Sequence, residues 1–385
     1  MIQFDFSTSP RIIFRSGVVS DIGKIAKGFG NNALLVTGSH IQAASVVKQN
    51  LISGGLKVTE FVREGEPSDQ TIREGMKLAK SVDIDLVIAC GGGSSIDTGK
   101  AISALMTNPG ELEDYLEIVG KGHPLAKPAM PFIAIPTTAG TGSEVTRNAV
   151  IRIQAHGIKV SLRGQNIVPR IAIIDPELIF YLSSEITAYT GMDALTQLIE
   201  PYLTLKSNPF TDAICLEGMK RSKRSLMKAF QSIEVLEARE DLCLASLFGG
   251  IALANSGLGA VHGIAGVIGG TNPAPHGALC ARLLPYVFEM NANLIFQGSK
   301  DSIVYEKMRH IGRILLDVDA NNMSDAVKYL EDLIENLKIN RLSAYGVSVK
   351  DFPIIIEHSL SSSSMKGNPI PLGGEEIKRI LEKAL

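Results

Sequence analysis

Up to about residue 180, short β-branched apolar runs alternate with stretches of helical periodicity. Residues 33–37 (Ala-Leu-Leu-Val-Thr) have the form of a buried strand, followed by a helical stretch carrying Ala43, Val46 and Val47. Residues 85–90 and 131–136 form two further apolar strand signals. Alternation of this kind predicts a parallel sheet with helices on both faces. Beyond Ser183 strand signals nearly vanish and helical periodicity takes over, for example at 185–205, 209–229 and 324–337. The pattern predicts a Rossmann-like α/β domain over residues 1–180, an all-helical domain over 181–385, and a cleft between them. Residues 242–281 contain no Asp, Glu, Lys or Arg, which raises a transmembrane reading. Asn255, Ser256, His262, Asn272, two prolines and many glycines interrupt that stretch. Helices packed inside a soluble domain, forming the floor of a site, account for it better.

Charge narrows the partners. The 385 residues carry 38 Lys and Arg against 40 Asp and Glu, a formal net charge of -2. Nothing in that balance favours nucleic acid or an anionic membrane as a partner. Cys90, Cys215, Cys243 and Cys280 are scattered without CxxC spacing, as expected of buried, reduced thiols in a cytoplasmic protein. The start, Met-Ile-Gln-Phe-Asp-Phe, has no basic or apolar leader pattern, so secretion is not expected.

Two loops carry the first candidate chemistry. The strand ending at Cys90 runs into Gly91, Gly92, Gly93, Ser94 and Ser95 and then a helix. Glycines let the backbone approach an anion, and the helix start offers free N–H groups. Thr137, Thr138 and Thr141 lie in a second glycine-containing loop, residues 136–143, again after a strand. Loops at the carboxyl ends of neighbouring parallel strands are where such sheets bind ligands, and the pair favours a dinucleotide. In the helical half, Asp193 and Gln197 stand four apart on one helical face, while His262 and His276 lie in the charge-free stretch. An oxygen-rich face with two imidazoles suits a divalent cation.

Residues 91–100, residues 136–146, Asp175-Pro-Glu-Leu178, Gly191-Met-Asp-Ala-Leu195, Gly259-Ala-Val-His262, Pro275-His-Gly277 and Gly367-Asn-Pro369 resemble, in order, the iron-containing (group III) alcohol dehydrogenase family. The resemblance spans nearly the whole chain. It implies a dehydroquinate-synthase-like fold, often a homodimer, and hydride transfer between NAD or NADP and a small alcohol or aldehyde at a divalent metal. It also implies that Asp193, Gln197, His262 and His276 hold that metal, with Asp193, His262 and His276 catalytic. Asp97 and Lys100 are placed near the nicotinamide ribose and amide, an ordinary helix ion pair being the alternative. Lys159 matches a lysine near the cofactor.

Two departures from the family pattern bear on the chemistry. Histidine usually stands where this chain has Gln197, and a further histidine where it has Gly266. A neutral amide oxygen makes a harder, weaker site and shifts preference away from Zn(II) toward Mn(II) or Fe(II); Fe(II) is the expected metal, with Zn(II) or Mn(II) as alternatives. After the first strand the family often has Asp, whereas here Gly38, Ser39 and His40 follow Thr37. Loss of that carboxylate leans toward NADP(H), with NAD(H) also accommodated. The alternatives are a dehydroquinate-synthase-like lyase and a silent dinucleotide-binding protein that has lost its metal.

Overall fold

In the computed structural model, residues 3–38, 41–63, 65–232, 234–298, 302–318 and 323–385 are described. Ser39 and His40 lie outside the described residues. The chain divides into two compact units, Ser7–Tyr181 and Leu182–Leu385, the residues up to Phe6 belonging with the second.

The first unit is built on a parallel sheet of six strands. In chain order these are β1 (Arg11–Phe14), β2 (Asn32–Thr37), β3 (Lys57–Val62), β4 (Leu86–Gly91), β5 (Phe132–Pro136) and, after the antiparallel hairpin β6 (Asn148–Ile153) and β7 (Ile158–Arg163), β8 (Ile171–Ile174). Their order across the sheet is β1-β8-β5-β4-β2-β3. Strands β4, β5 and β8 are buried along their whole length, which is why they have continuous apolar sequences. Successive side chains point to opposite faces. Leu35, Ile88 and Ile133 therefore pack with Val47 and Leu51 of α2 (Ile41–Ser53). Leu34, Val87 and Phe132 pack instead with Ile96 and Ile102 of α4 (Gly93–Thr107). Helix α1 (Ile22–Lys27) joins the first layer, and α3 (Asp69–Ser81) the second; α5 (Leu112–Tyr115) is a single turn. The hairpin β6–β7 is an addition that apolar periodicity did not indicate.

Chain order reverses direction between β2 and β4, since β3 lies on one side of β2 and β4 on the other. Register aligns the carboxyl ends, with Thr37 opposite Cys90 and Gly91 opposite Pro136. The sheet thus has a switch point where strand-end loops gather, the usual ligand position in such folds.

The second unit is helical: α6 (Ser184–Leu203), α7 (Pro209–Gln231), α8 (Leu236–Ser256), α9 (Ala260–Thr271), α10 (His276–Gly298), α11 (Ile303–Leu316), α12 (Met323–Asn336), α13 (Phe352–Ser361) and α14 (Gly374–Ala384). Helix α6 starts with the Ser183 hydroxyl accepting from the Ile186 N–H and is buried along nearly its whole length. Helices α7, α8 and α10 pack around it. The charge-free stretch forms most of α8, all of α9 and the start of α10, mostly buried. Among the described residues no single helix is long and apolar enough to cross a membrane.

Candidate metal centre and cofactor loops

Glycine brings α6 and α10 into backbone contact. A Cβ on Gly277 would lie 2.2 Å from the Tyr189 carbonyl oxygen, so no larger residue fits there without displacing a helix. That approach sets His276, the first residue of α10, with Nε2 3.8 Å from Asp193 Oδ1. His262, in the first turn of α9, places its Nε2 3.4 Å from the same oxygen. The two imidazole centroids are 5.4 Å apart.

Glu200 is the residue that sequence reasoning missed here. It lies seven positions after Asp193 on α6, two turns on and on the same face, a signal that was present in the spacing. Its Oε2 is 2.6 Å from His262 Nδ1, and its Oε1 accepts from the Val261 N–H at 2.6 Å. Asn368 Oδ1 accepts from the Ala260 N–H at 3.2 Å. Helix α9 has no side-chain cap of its own, so these two side chains satisfy its first N–H groups and anchor His262. A carboxylate can only accept, so the hydrogen bond to Glu200 places a proton on Nδ1 and leaves Nε2, which faces Asp193, as the nitrogen that could bind a metal.

Among the described residues, Asp193 Oδ1, Gln197 Oε1 and His262 Nε2 are buried without a hydrogen-bond partner. Buried polar atoms are almost always paired, so these unpartnered acceptors are the kind of donors that could hold a cation. One donor atom each from Asp193, His262, His276 and Cys280 lies within 4.8 Å of the others. Asp193 and His262 side chains are 3% and 6% exposed, whereas His276 is 39% exposed, so solvent reaches the cluster at His276.

Charge within the cluster agrees. Burial opposes ionisation of Asp193, but the neighbouring His262 and His276 imidazoles hold its carboxyl below the ordinary value. Burial also works against a charge on His262, yet Cys280, Asp193 and Glu200 raise it well above the usual imidazole range. His276 is raised chiefly by Cys280. Burial raises the Cys280 thiol, but the two histidines lower it below the ordinary value, whereas burial alone pushes Cys90 up to about 12. The negative charges that raise both imidazoles are also of the sign that attracts a cation. Glu200→Gln is expected to weaken metal binding about 10–100-fold, because the amide no longer enforces the His262 tautomer. Titration of chelator-stripped protein with Zn(II) measures this, and an unchanged affinity would remove Glu200 from the site.

In the first unit the two glycine loops touch. A Cβ on Gly92 would lie 3.3 Å from the Thr138 side chain, and one on Gly93 would lie 2.8 Å from Thr141. The Thr137 N–H donates to the Gly91 carbonyl at 3.0 Å, and its buried Oγ1 has no partner. Helix α4 begins at Gly93 without a side-chain cap, with Ser94 half-buried in its first turn. Ser95 Oγ accepts from Arg63 Nη2 at 3.2 Å. A Cβ on Gly38 would stand 3.2 Å from Ser95 Oγ and 3.5 Å from Arg63 Nη2. Arg63 directly follows β3 and donates its N–H to Thr37. Burial lowers its guanidinium to about 10, leaving it cationic near neutral pH. Sequence reading passed it over because β3 carried no strong apolar signal.

Gly38, Gly91, Gly92, Gly93, Ser94, Ser95, Thr137, Thr138 and Thr141 thus gather at the ends of β2, β4 and β5. Asp97 lies behind them. It accepts from the Val150 N–H at 2.9 Å and from the Ser143 hydroxyl, and it stands 3.7 Å from Lys100 Nζ. Lys100, fully buried, donates to Ser143, Thr146 and the Asn148 carbonyl. This cluster ties α4 to the second loop and to β6. Burial lowers Lys100 to about 8, raises Asp97, and raises Glu144 to about 7. Lys159, on β7, pairs with Glu66 at 2.7 Å.

A glycine-looped parallel sheet and a helical unit with a carboxylate–imidazole cluster are the two halves of a dehydroquinate-synthase-like fold. Residues 9–176 match the family described as iron-containing alcohol dehydrogenase, and residues 187–385 match the C-terminal region of the Fe-containing alcohol dehydrogenase family. The chain is 35% identical to alcohol dehydrogenase 4 of Saccharomyces cerevisiae, covering 98% of each chain. It is 32% identical to an NAD-dependent methanol dehydrogenase of Bacillus methanolicus, over 99% of this chain and 100% of the other. A crystal structure of 1,3-propanediol oxidoreductase superposes with a TM-score of 0.92 at 30% identity, covering 100% of both chains. The chain belongs to the iron-containing alcohol dehydrogenase family, whose members are alcohol and aldehyde oxidoreductases.

Proposed function

We propose that this protein is a metal-dependent, NADP(H)-preferring alcohol dehydrogenase or aldehyde reductase acting on a small alcohol or aldehyde. The observation that carries the metal reading is the convergence of buried, unpartnered Asp193 Oδ1 and His262 Nε2 beside His276. A divalent cation there supplies polarisation of a substrate carbonyl, and a nicotinamide supplies or accepts the hydride. The chain's own residues do the positioning. Asp193, His262 and His276 provide the two-histidine, one-carboxylate donor set suited to Fe(II), with Mn(II) or Zn(II) as alternatives. Glu200 holds the proton on His262 Nδ1. The solvent-open His276 side leaves room for a small substrate. Gly266, one turn beyond His262, meets nothing within 4 Å of a built Cβ and can move no proton.

The cofactor preference rests on Gly38 and Arg63. Gly38 carries no carboxylate to repel a ribose 2′-phosphate, and the Arg63 guanidinium beside it suits a phosphate oxygen. The name of the Bacillus methanolicus relative points the other way, toward NAD. Gly38→Asp is therefore expected to lower kcat/KM for NADPH relative to NADH by at least about tenfold, some 1.4 kcal/mol of discrimination. A wild-type enzyme that already prefers NADH would overturn the NADP(H) assignment.

Family membership and the relatives' names favour neither the lyase nor the silent alternative. Chelator-stripped protein reloaded with Fe(II), Mn(II) or Zn(II) should oxidise NADPH with short aldehydes. No turnover with any of the three metals and either cofactor would sink the oxidoreductase reading.

A further inference from the structure

We infer that the Cys280 thiolate is a fourth protein ligand to the cation held by Asp193, His262 and His276, filling the place where Gln197 offers only a neutral amide. The inference rests on the metal-dependent reading above. Helix α10 opens at His276, and Cys280 lies one turn further along, so both side chains leave the same helical face. Cys280 Sγ is 3.6 Å from His276 Nε2, and the cysteine is wholly buried.

A tetrahedral ion with bonds of about 2.0–2.3 Å to nitrogen, oxygen and sulfur holds its ligand atoms roughly 3.3–3.8 Å apart. Three separations already have those values: His262 to Asp193 at 3.4 Å, His276 to Asp193 at 3.8 Å, and His276 to Cys280 at 3.6 Å. Asp193 Oδ1 and His262 Nε2, buried without partners, point to a ligand independently of the cysteine. Among the described residues, Cys90, Cys215 and Cys243 are equally buried but belong to no such group of donors.

Coordination breaks the Cys280 S–H bond and forms a sulfur–metal bond, with the proton passing to solvent and no change of oxidation state. The consequence is a softer donor set than Asp193, Gln197 and two histidines alone would make. Thiolate moves preference back toward Zn(II) and Co(II), against the oxygen-tolerant ions that Gln197 favours.

Cobalt(II) tests this without relying on turnover. Chelator-stripped wild type loaded with Co(II) should show a thiolate-to-cobalt charge-transfer band in the near ultraviolet. Cys280→Ser should lose that band and bind Zn(II) at least about 100-fold more weakly, beyond the loss expected of an outer partner. X-ray absorption of the Zn(II)-loaded wild type should show a sulfur neighbour at about 2.3 Å, which settles the matter even if the variant fails to fold. Stoichiometric metal with no sulfur neighbour and no thiolate band would overturn the Cys280 assignment while leaving the metal-dependent reading intact. No bound metal in the wild type would overturn both.

Discussion

Asp193→Asn is expected to lower kcat/KM on the order of 10³-fold, beyond the 10–100-fold usual for an outer-shell partner. Asp193 is the hub of the cluster. Its Oδ1 lies 3.4 Å from the His262 Nε2 and 3.8 Å from the His276 Nε2, and it is the only carboxylate within the four-donor group. Asparagine keeps the shape but removes the negative charge that offsets a buried cation. Metal content and kcat/KM should therefore fall together. The fold should survive, because Asp193 Oδ1 makes no hydrogen bond that holds helices together. Metal analysis beside steady-state kinetics measures both effects. A variant that keeps its metal and its turnover would show that the carboxylate is not a ligand.

The second large effect comes from a residue with no chemistry. Gly277→Ala is expected to destabilise the helical unit by roughly 1–3 kcal/mol, the usual cost of overpacking. The added methyl would meet the Tyr189 carbonyl oxygen at 2.2 Å and its carbon at 2.7 Å, and these are backbone atoms that cannot rotate aside. Helix α10 must therefore shift away from α6, taking its first residue, His276, away from Asp193. Melting temperature should fall by about 2–4 °C for each kcal/mol in a unit of this size. Metal affinity should fall with it. Gly266→Ala is the control, since nothing lies within 4 Å of a Cβ there and alanine favours helix. A Gly277→Ala melt within about a degree of wild type would show that α6 and α10 are not held in contact.

The sheet and the helical second half were legible because they depend on local pattern. Continuous apolar runs at residues 33–37, 85–90 and 131–136 became β2, β4 and β5, since strands covered on both faces have no polar side. Helix α6 was legible from periodicity even through Pro201. The hairpin β6–β7 was not, because each strand is partly exposed and interrupts its apolar residues with polar ones. Asp193 and Gln197 were visible as a pair through their spacing on one helix, and Glu200 could have been added by the same rule.

Arg63 and Cys280 were a different case. Arg63 gains meaning only when parallel pairing sets the end of β3 beside Thr37 and Gly38. Cys280 resembled three other scattered thiols until α10 packed against α6. By itself the sequence determined the fold class and the family and offered candidate residues for the chemistry, because periodicity and motif order are properties of the chain. Only the tertiary structure decided which of those residues meet. Their separations are set by helix packing and strand register, which join positions as far apart as Asp193 and Cys280, 87 residues, or Ala260 and Asn368, 108 residues.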